Sequence, residues 1–439
     1  MNKKILDLAI PNIISNISIP LLGIVDMALM GHLESDAYIG AIALGSLIFN
    51  FIYWGLGFLR MGTSGFTAQA WGRRDLPETI LVLSRAVFIA LVMGFLLLLI
   101  QKPIELLSFL LLKGESQVEE LAMAYFRIRI WAAPAALGQF ALLGFFLGMQ
   151  NARLPMVVLV STNVINIVCS YIFVMKLGME SNGVALGTVI AQYAGLLIAL
   201  FFFRKYFHRL FRYWSIQGTI QWKKLKHFLM INKDIFIRTM CLVAVFTIFT
   251  ARSASTDVLN EGEETILAVN SLLMQFFMFF SFLIDGFAHA SEALTGKFIG
   301  AGDQASLRRS VRLLFVWGTI ISLVFTLVYL VGGDLIFRAL TNNQEVIANA
   351  KPYFFWVVMV PLVSYTAFLW DGIFIGATAG PEMRNAMLAS TLLIFFPAYF
   401  LAGHFLGNHG LWLAFILFMI ARGVSMQILA KKAVWAKVS

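Results

Sequence analysis

The chain has 439 residues, of which 60% are hydrophobic and only 13% charged, with a mean hydropathy of +0.84. About a quarter of a soluble protein's residues are charged, so this balance excludes a cytosolic enzyme, a secreted disulfide scaffold and a disordered chain. It specifies a polytopic helical membrane protein, whose net charge of +10 has to be read by side of the membrane rather than as a total.

A spanning helix needs about 20 predominantly apolar residues. Taken in chain order, the sequence predicts twelve: 5–33, 37–70, 78–101, 118–148, 154–176, 183–205, 228–255, 264–295, 306–332, 347–376, 384–406 and 410–430. The first run carries Pro11, Pro20 and Asp26 and no small-residue cleavage site, so it reads as a span rather than a cleaved signal. Turn chemistry or charge marks the breaks: Gly72-Arg73-Arg74-Asp75, Lys113-Gly114-Glu115, Glu180-Ser181-Asn182-Gly183, Gly332-Gly333-Asp334 and Gly407-Asn408-His409-Gly410. Cys169 and Cys241 lie inside apolar runs and read as small hydrophobes. The longest polar stretch, 206–227, is basic and is expected to be a cytoplasmic linker between a lobe of residues 1–205 and a lobe of residues 228–439.

With the N-terminus inside, inner segments hold twenty lysines and arginines. Outer loops hold five (Lys102, Lys113, Lys176, Arg338 and Lys351) and are acidic at Glu261, Glu263 and Glu264. This positive-inside asymmetry supports an even span count with both termini cytoplasmic. The basic charge therefore sets topology and implies no nucleic-acid partner.

The halves echo each other at one offset. Thr67, Gly72 and Asp75 recur as Thr295, Gly300 and Asp303, and 295 − 67 = 228. Tyr125-Phe126 recurs as Tyr353-Phe354, and Gly144 and Gly148 recur as Gly372 and Gly376, at the same spacing. Six spans per repeat give halves of parallel topology, an arrangement suited to alternating access around a cavity. The expected fold class is an all-α integral membrane protein of twelve transmembrane helices in two pseudo-symmetric six-helix lobes.

Asp26 sits mid-run between Ile19 and Met30, where an ionised carboxylate costs several kcal/mol unless paired or hydrated, so a functional role outweighs simple helix packing. Pro11 and Pro20 each remove a hydrogen bond from the same helix and are candidate hinges. Thr162, Asn163, Asn166 and Ser170 make a polar stripe on the fifth span, and Thr188 and Gln192 a shorter one on the sixth. From the residues alone these stripes are equally compatible with interhelical hydrogen bonding. In the second half, Asp234 and Arg238 stand at i, i+4. Asp285, His289 and Glu292 share a face of the eighth span, and Asp371 sits on the tenth. They read as a buried ion-pair network, Arg238 with Asp371 or Asp234, rather than a metal site, because one helix rarely completes a zinc site and no cysteine or second histidine is near. Arg60, Arg127 and Arg129 read as partners for acids or helix ends. Met274, Phe277 and Met278, with Asn163 and Gln192, are candidate cavity-lining residues, since Met and aromatic side chains adapt to many apolar shapes and attract organic cations.

Pro11-Asn12, Val25-Asp26 and Gly31-His32-Leu33 together resemble the first helix of multidrug and toxic compound extrusion (MATE) transporters. The run from Leu59-Arg60-Met61-Gly62 to Ala70-Trp71-Gly72 resembles their second helix in the DNA-damage-inducible F (DinF) subfamily. Asp371-Gly372-Ile373-Phe374-Ile375-Gly376-Ala377-Thr378 with Glu382-Met383-Arg384-Asn385 is similar to the same subfamily's tenth-to-eleventh helix region. The resemblance covers nearly the whole chain. It implies a cation antiporter that expels amphipathic, often cationic, drug-like compounds through a central cavity, from a bacterial inner membrane. It also implies that Asp26, Asn166 and Thr188 belong to a cation-coupling site in the first lobe. There the sequence departs at Ser170, where the family's site has a second carboxylate. Sodium wants several oxygen ligands and negative charge, whereas a proton needs one basic group, so Ser170 favours protons over sodium.

The expectation is a proton-coupled antiporter with no cofactor other than its coupling ion, acting as a monomer among membrane lipids. The rivals are a sodium-coupled exporter and a lipid-linked precursor flippase, which would want an arginine cluster for phosphate groups. An enzyme is disfavoured, because the chain has no His-Glu-x-x-His, Gly-x-Gly-Asp or P-loop motif.

Overall fold

The computed structural model describes residues 1–30, 37–112, 115–254 and 263–438. Gly31, His32, Leu33, Lys113, Gly114 and Glu261 lie outside the described residues, as do the side chains of Glu263 and Glu264. Among the described residues the fold is all-helical, and twelve helical segments are long and apolar enough to cross a membrane. Helices are what an apolar chain must form in lipid, because each satisfies its own backbone donors and acceptors where no water can.

The first half comprises α1 (Asn2–Met30), α2 (Ala37–Leu56), α3 (Phe58–Gly72), α4 (Leu76–Leu99), the short α5 (Gln101–Leu111), α6 (Ser116–Arg129), α7 (Ala133–Gly148), α8 (Arg153–Tyr171), α9 (Glu180–Phe207) and the single-turn α10 (Ile216–Thr219). The second comprises α11 (Trp222–Ser253), α12 (Glu263–Gly300), α13 (Gln304–Leu340), the short α14 (Gln344–Ala350), α15 (Phe354–Gly376), α16 (Gly380–Ala389), α17 (Phe396–Leu406) and α18 (Asn408–Ala433). Some spans are composite: α2 with α3 make one, as do α6 with α7 and α16 with α17. A wide turn of π-helix follows α8 at Ile172–Lys176, and another joins α16 to α17 at Ser390–Phe395. The chain forms two compact units, residues 10–229 and residues 230–439 together with 1–9.

The 228-residue repeat is written into the hydrogen bonds. Asp75 and Asp303 both cap a following helix, accepting from Glu78 N (3.0 Å) and Ser306 N (2.9 Å). The turns before them place Arg74 and Gly302 at φ 60° and 67°, and 302 − 74 = 228. Gln150 and Thr378, also 228 apart, take positive φ after α7 and α15. The deepest echo is in packing. Any Cβ on Gly144 would strike the carbonyl of Arg60, and any on Gly372 the carbonyl of Ala288. Gly148 likewise faces Ser64 O and Thr67, and Gly376 faces Glu292 O and Thr295. α3 crosses α7, and α12 crosses α15, backbone against backbone.

Three expectations change. Gly332-Gly333-Asp334 does not break a span; α13 runs through it to Leu340 because Gly333 makes room for the Phe354 ring, a packing role rather than a turn. Glu180-Ser181-Asn182-Gly183 is the first turn of α9, with the break just before it, and Gly183 packs on Phe173. The stretch 206–227 is folded onto α4. Arg85 donates to the Gly218 carbonyl (2.9 Å) and pairs with Glu78 (2.7 Å), Lys224 reaches the same carboxylate (2.5 Å), and Trp214 Nε1 donates to Ser84 (2.7 Å).

Because the glycine crossings carry both halves, Gly144→Ala and Gly372→Ala should each destabilise the purified protein by about 1–3 kcal/mol through overpacking. Gly23→Ala, whose new methyl meets nothing within 4 Å, should cost nothing. Thermal unfolding in detergent checks the order of the three.

Candidate functional site

α8 and α9 lie side by side in the unit of residues 10–229, and the polar stripe of α8 is sorted by depth. Thr162, Asn166 and Ser170 are buried, and Thr162 bonds its own helix at Val158 O (2.8 Å). Ser170 Oγ donates to Asn166 Oδ1 (3.1 Å), Asn166 Nδ2 donates to Thr188 Oγ1 (3.0 Å), and Thr188 donates to the Val184 carbonyl (3.0 Å). The bonds form one directional chain across the two helices. Gly187 makes it short: a Cβ there would come within 2.8 Å of Ser170 Oγ. Asn163 turns away and ties α8 to α1, donating to Ser18 O (3.2 Å) and Oγ (3.0 Å). Gln192 accepts from Gln139 of α7 (2.8 Å). Gln139, a buried amide, is a participant that sequence reasoning passed over, although one Gln in an otherwise apolar run was the signal.

Asp26 stands apart from that chain. No hydrogen bond joins it to Asn166, Ser170 or Thr188, and among the described residues its buried Oδ1 has no hydrogen-bond partner. Its electrostatic neighbour is Arg129 of α6, close enough for the charges to act on each other but with no ion pair within 4 Å. Arg129 is held elsewhere: it donates to Ser46 Oγ (3.0 Å) and Tyr125 OH (2.5 Å), and its guanidinium lies over the Phe49 ring, 4.8 Å from the centroid. Pro11 and Pro20 both lie within the continuous α1, and Ser15 bonds back to the Pro11 carbonyl (2.9 Å). The division between the two units falls at residues 9 and 10, beside Pro11.

In residues 230–439, of the two partners open to Arg238 in the sequence, Asp371 and Asp234, it meets Asp371. Arg238 pairs with Asp371, and Arg422 donates to the same carboxylate oxygen (2.6 Å). Asp234 instead pairs with Arg384 (2.6 Å). His289 Nδ1 lies 3.6 Å from Glu292 Oε2. Asp285 acts electrostatically on Arg422. Arg422, almost fully buried on α18, is the member the sequence reading missed, although a lone arginine within the last apolar run announced it. Phe277 is closed among Phe246, Phe368 and Phe415, with ring centroids 5.2–6.3 Å apart, while Met274 and Met278 stay half-buried.

The family model MatE matches residues 11–172 and again 237–400, one copy in each half. The chain belongs to the MatE family. Among its relatives, DNA damage-inducible protein F of Escherichia coli (strain K12) is 38% identical over 99% of this chain and 92% of its own length. The probable multidrug resistance protein NorM of Bradyrhizobium diazoefficiens is 25% identical over 93% of this chain and 89% of its own. Solved structures share the fold. A MATE protein in a bent conformation superposes with TM-score 0.87 at 18% identity, covering 99% of this chain and 96% of that one. A MOP superfamily transporter from Pyrococcus furiosus reaches TM-score 0.86 at 18% identity, covering 100% of this chain and 96% of that one. This MatE protein is therefore a transporter and not an enzyme, as its sequence resemblance implied.

Two acids of this MatE chain differ in kind. Asp371 is locked between two buried guanidinium groups, whereas the buried Oδ1 of Asp26 has no hydrogen-bond partner among the described residues. Asp371→Asn leaves Arg238 and Arg422 buried without a counter-charge and should destabilise by about 3–5 kcal/mol. Asp26→Asn should leave the melting temperature unchanged or raise it. Thermal unfolding of the two variants side by side tests this, and the reverse order would overturn it.

Proposed function

We propose that this MatE protein is a proton-coupled antiporter of the bacterial inner membrane, with both termini cytoplasmic, exporting amphipathic, often cationic, organic compounds by alternating access. Asp26 is its coupling residue. The observation that carries this reading is a carboxylate within a spanning helix whose buried oxygen has no hydrogen-bond partner among the described residues. A charge in that setting is costly, and protonation removes the cost without any other rearrangement. The names of relatives support the class of substrate: multidrug resistance for the NorM protein, and multidrug and toxin extrusion for a zebrafish (Danio rerio) relative 23% identical over 99% of this chain.

The proton is favoured over sodium by the ligand set. Hard cations take several oxygen ligands and anionic charge. Here Ser170 offers only a hydroxyl, already committed to Asn166, and Asn166 and Thr188 are committed to each other. Beside Asp26 stands Arg129, a permanent cation that opposes the arrival of another. A proton needs only one basic oxygen, so it does not depend on those committed groups, although Arg129 opposes its arrival as well. A phosphate-bearing lipid precursor is disfavoured because Arg238, Arg384 and Arg422 are each already engaged by a carboxylate, Asp371 or Asp234.

Coupling requires that Asp26 hold its proton with different affinity in two shapes of the protein. α1 can supply two shapes. Pro11 and Pro20 each delete a backbone hydrogen bond, and the unit boundary beside Pro11 places a bendable point where the helix passes from one unit to the other. A difference of two pKa units between the shapes would shift their ratio about a hundredfold.

Asp26→Asn should abolish ethidium or rhodamine efflux while expression stays intact. In vesicles, collapsing the proton gradient should stop transport by the wild type. Transport sustained by sodium alone at zero pH gradient would overturn the proton reading. Ser170→Asp combined with Arg129→Gln supplies a second carboxylate and removes the fixed cation, and should make transport respond to sodium.

A further inference from the structure

In residues 230–439 the buried charges nearly cancel, and the remainder is informative. Arg238 and Arg422 both engage Asp371, Arg384 engages Asp234, and Asp285 acts on Arg422, so three arginines balance three aspartates. Glu292 is left over. Its side chain is 1% exposed, and among the described residues neither carboxylate oxygen has a hydrogen-bond partner. Its main-chain carbonyl is pressed against Gly376 of α15, so the neighbouring helix approaches too closely there to offer a donor.

Among the described residues no other cation comes within ion-pair distance of Glu292; Lys4 of α1 acts on Lys297, further along α12, and Arg422 of α18 on Asp285. Asp371 of α15 is already paired, Glu345 of α14 is exposed, and among the described residues no lysine or arginine of α13, α14 or α15 comes within 4 Å of its carboxylate. On α12 itself Asp285 lies about two turns before it and Lys297 more than one turn after it. The one ionisable nitrogen within reach is His289 Nδ1, 3.6 Å from Oε2 and one turn away on the same face.

A bare carboxylate so placed costs several kcal/mol, which a single proton removes. Glu292 as the acid beside a neutral His289 has no net charge, and neither does a carboxylate beside an imidazolium. Losing the proton leaves a net charge of −1 in a dry site.

We propose that His289 and Glu292 hold one proton between them, forming a proton-binding site in residues 230–439 that is separate from Asp26. The proton moves between Glu292 Oε2 and His289 Nδ1 by a small side-chain adjustment, since 3.6 Å is only about half an ångström beyond hydrogen-bonding distance. Asp285, four residues before His289, continues the line along α12, so the three groups mark a path about 10 Å long.

Infrared difference spectra of the full-length protein in lipid vesicles, recorded across pH, test this without any transport. In His289→Gln the proton has only Glu292 to occupy. The carbonyl band of a protonated carboxylic acid should therefore strengthen relative to wild type and persist about one pH unit or more higher. Adding Glu292→Gln should erase that band, whereas adding Asp26→Asn should leave it, so failure of the Asp26 reading does not touch this one. A band in His289→Gln identical to wild type at every pH, or one that survives Glu292→Gln, overturns the proposal. Gln matches the neutral acid in shape and should fold. If it does not, His289→Gln with Glu292→Asp keeps the carboxyl and must keep the band at a shifted frequency, and its loss counts against the site.

Discussion

Each half of this protein is built on one helix crossing at which a glycine lets two backbones touch. In α7 and α15 the glycine is Gly144 or Gly372, and the partner is a carbonyl of α3 or α12. Lipid gives helices no hydrophobic reason to associate with one another, so tight van der Waals packing at small residues has to provide it. The rest of each half is arranged around that crossing. The aspartate-capped turn that follows α3 or α12, and the positive-φ residue that follows α7 or α15, recur at the same offset because they deliver the next helix to the same relative place.

The scaffold repeats, but the charges do not. At the 228-residue offset Asp26, Asn166, Ser170 and Thr188 correspond to Ala254, Ile394, Ala398 and Ile416. In the other direction Asp371, Arg238 and Arg422 correspond to Leu143, Ile10 and Ala194. Packing symmetry is therefore independent of polar chemistry, and each half carries its own set of buried groups. In residues 10–229 the groups around Asn166 are neutral amides and hydroxyls with Asp26 and Arg129 close by, and apart from them lie the ion pairs Arg85–Glu78 and Arg127–Glu105. In residues 230–439 they are paired ions with one glutamate to spare. The two sets suit different tasks. Neutral groups reorder their hydrogen bonds at little cost, whereas an ion triad such as Arg238–Asp371–Arg422 resists change, because separating it would strand a buried charge.

The two sets of groups also differed in how readily they could be recognised in the chain. Asp26 was conspicuous because a carboxylate in an apolar run has no ordinary explanation. Arg422 and Gln139 carried the same signal, a lone polar residue in an apolar run, and were passed over because nothing nearby in sequence completed a pattern. Their partners lie 51 and 53 residues away. Arg238, one helical turn from Asp234 and open in sequence to either Asp234 or Asp371, was decided only by the fold: it pairs with Asp371 while Asp234 takes Arg384, each on another helix. Gly332 and Gly333 read as a break because glycine is a turn residue in water, but inside a bundle a missing side chain more often admits a neighbouring one, here the Phe354 ring.

The sequence by itself determined the class of protein, the twelve spans, the positive-inside asymmetry and the internal repeat. All of these depend on quantities local to the chain: apolar length against bilayer thickness, the run of charge, and spacing along one strand of residues. Only the tertiary structure decided which acid meets which arginine, that the basic stretch after α9 folds onto α4, that Asp26 stands apart from the Asn166–Thr188 chain, and that Glu292 has no arginine. Those outcomes depend on where helices distant in sequence place their side chains. A buried charge is stabilised by whatever lies a few ångströms away, and distance along the chain carries no information about that.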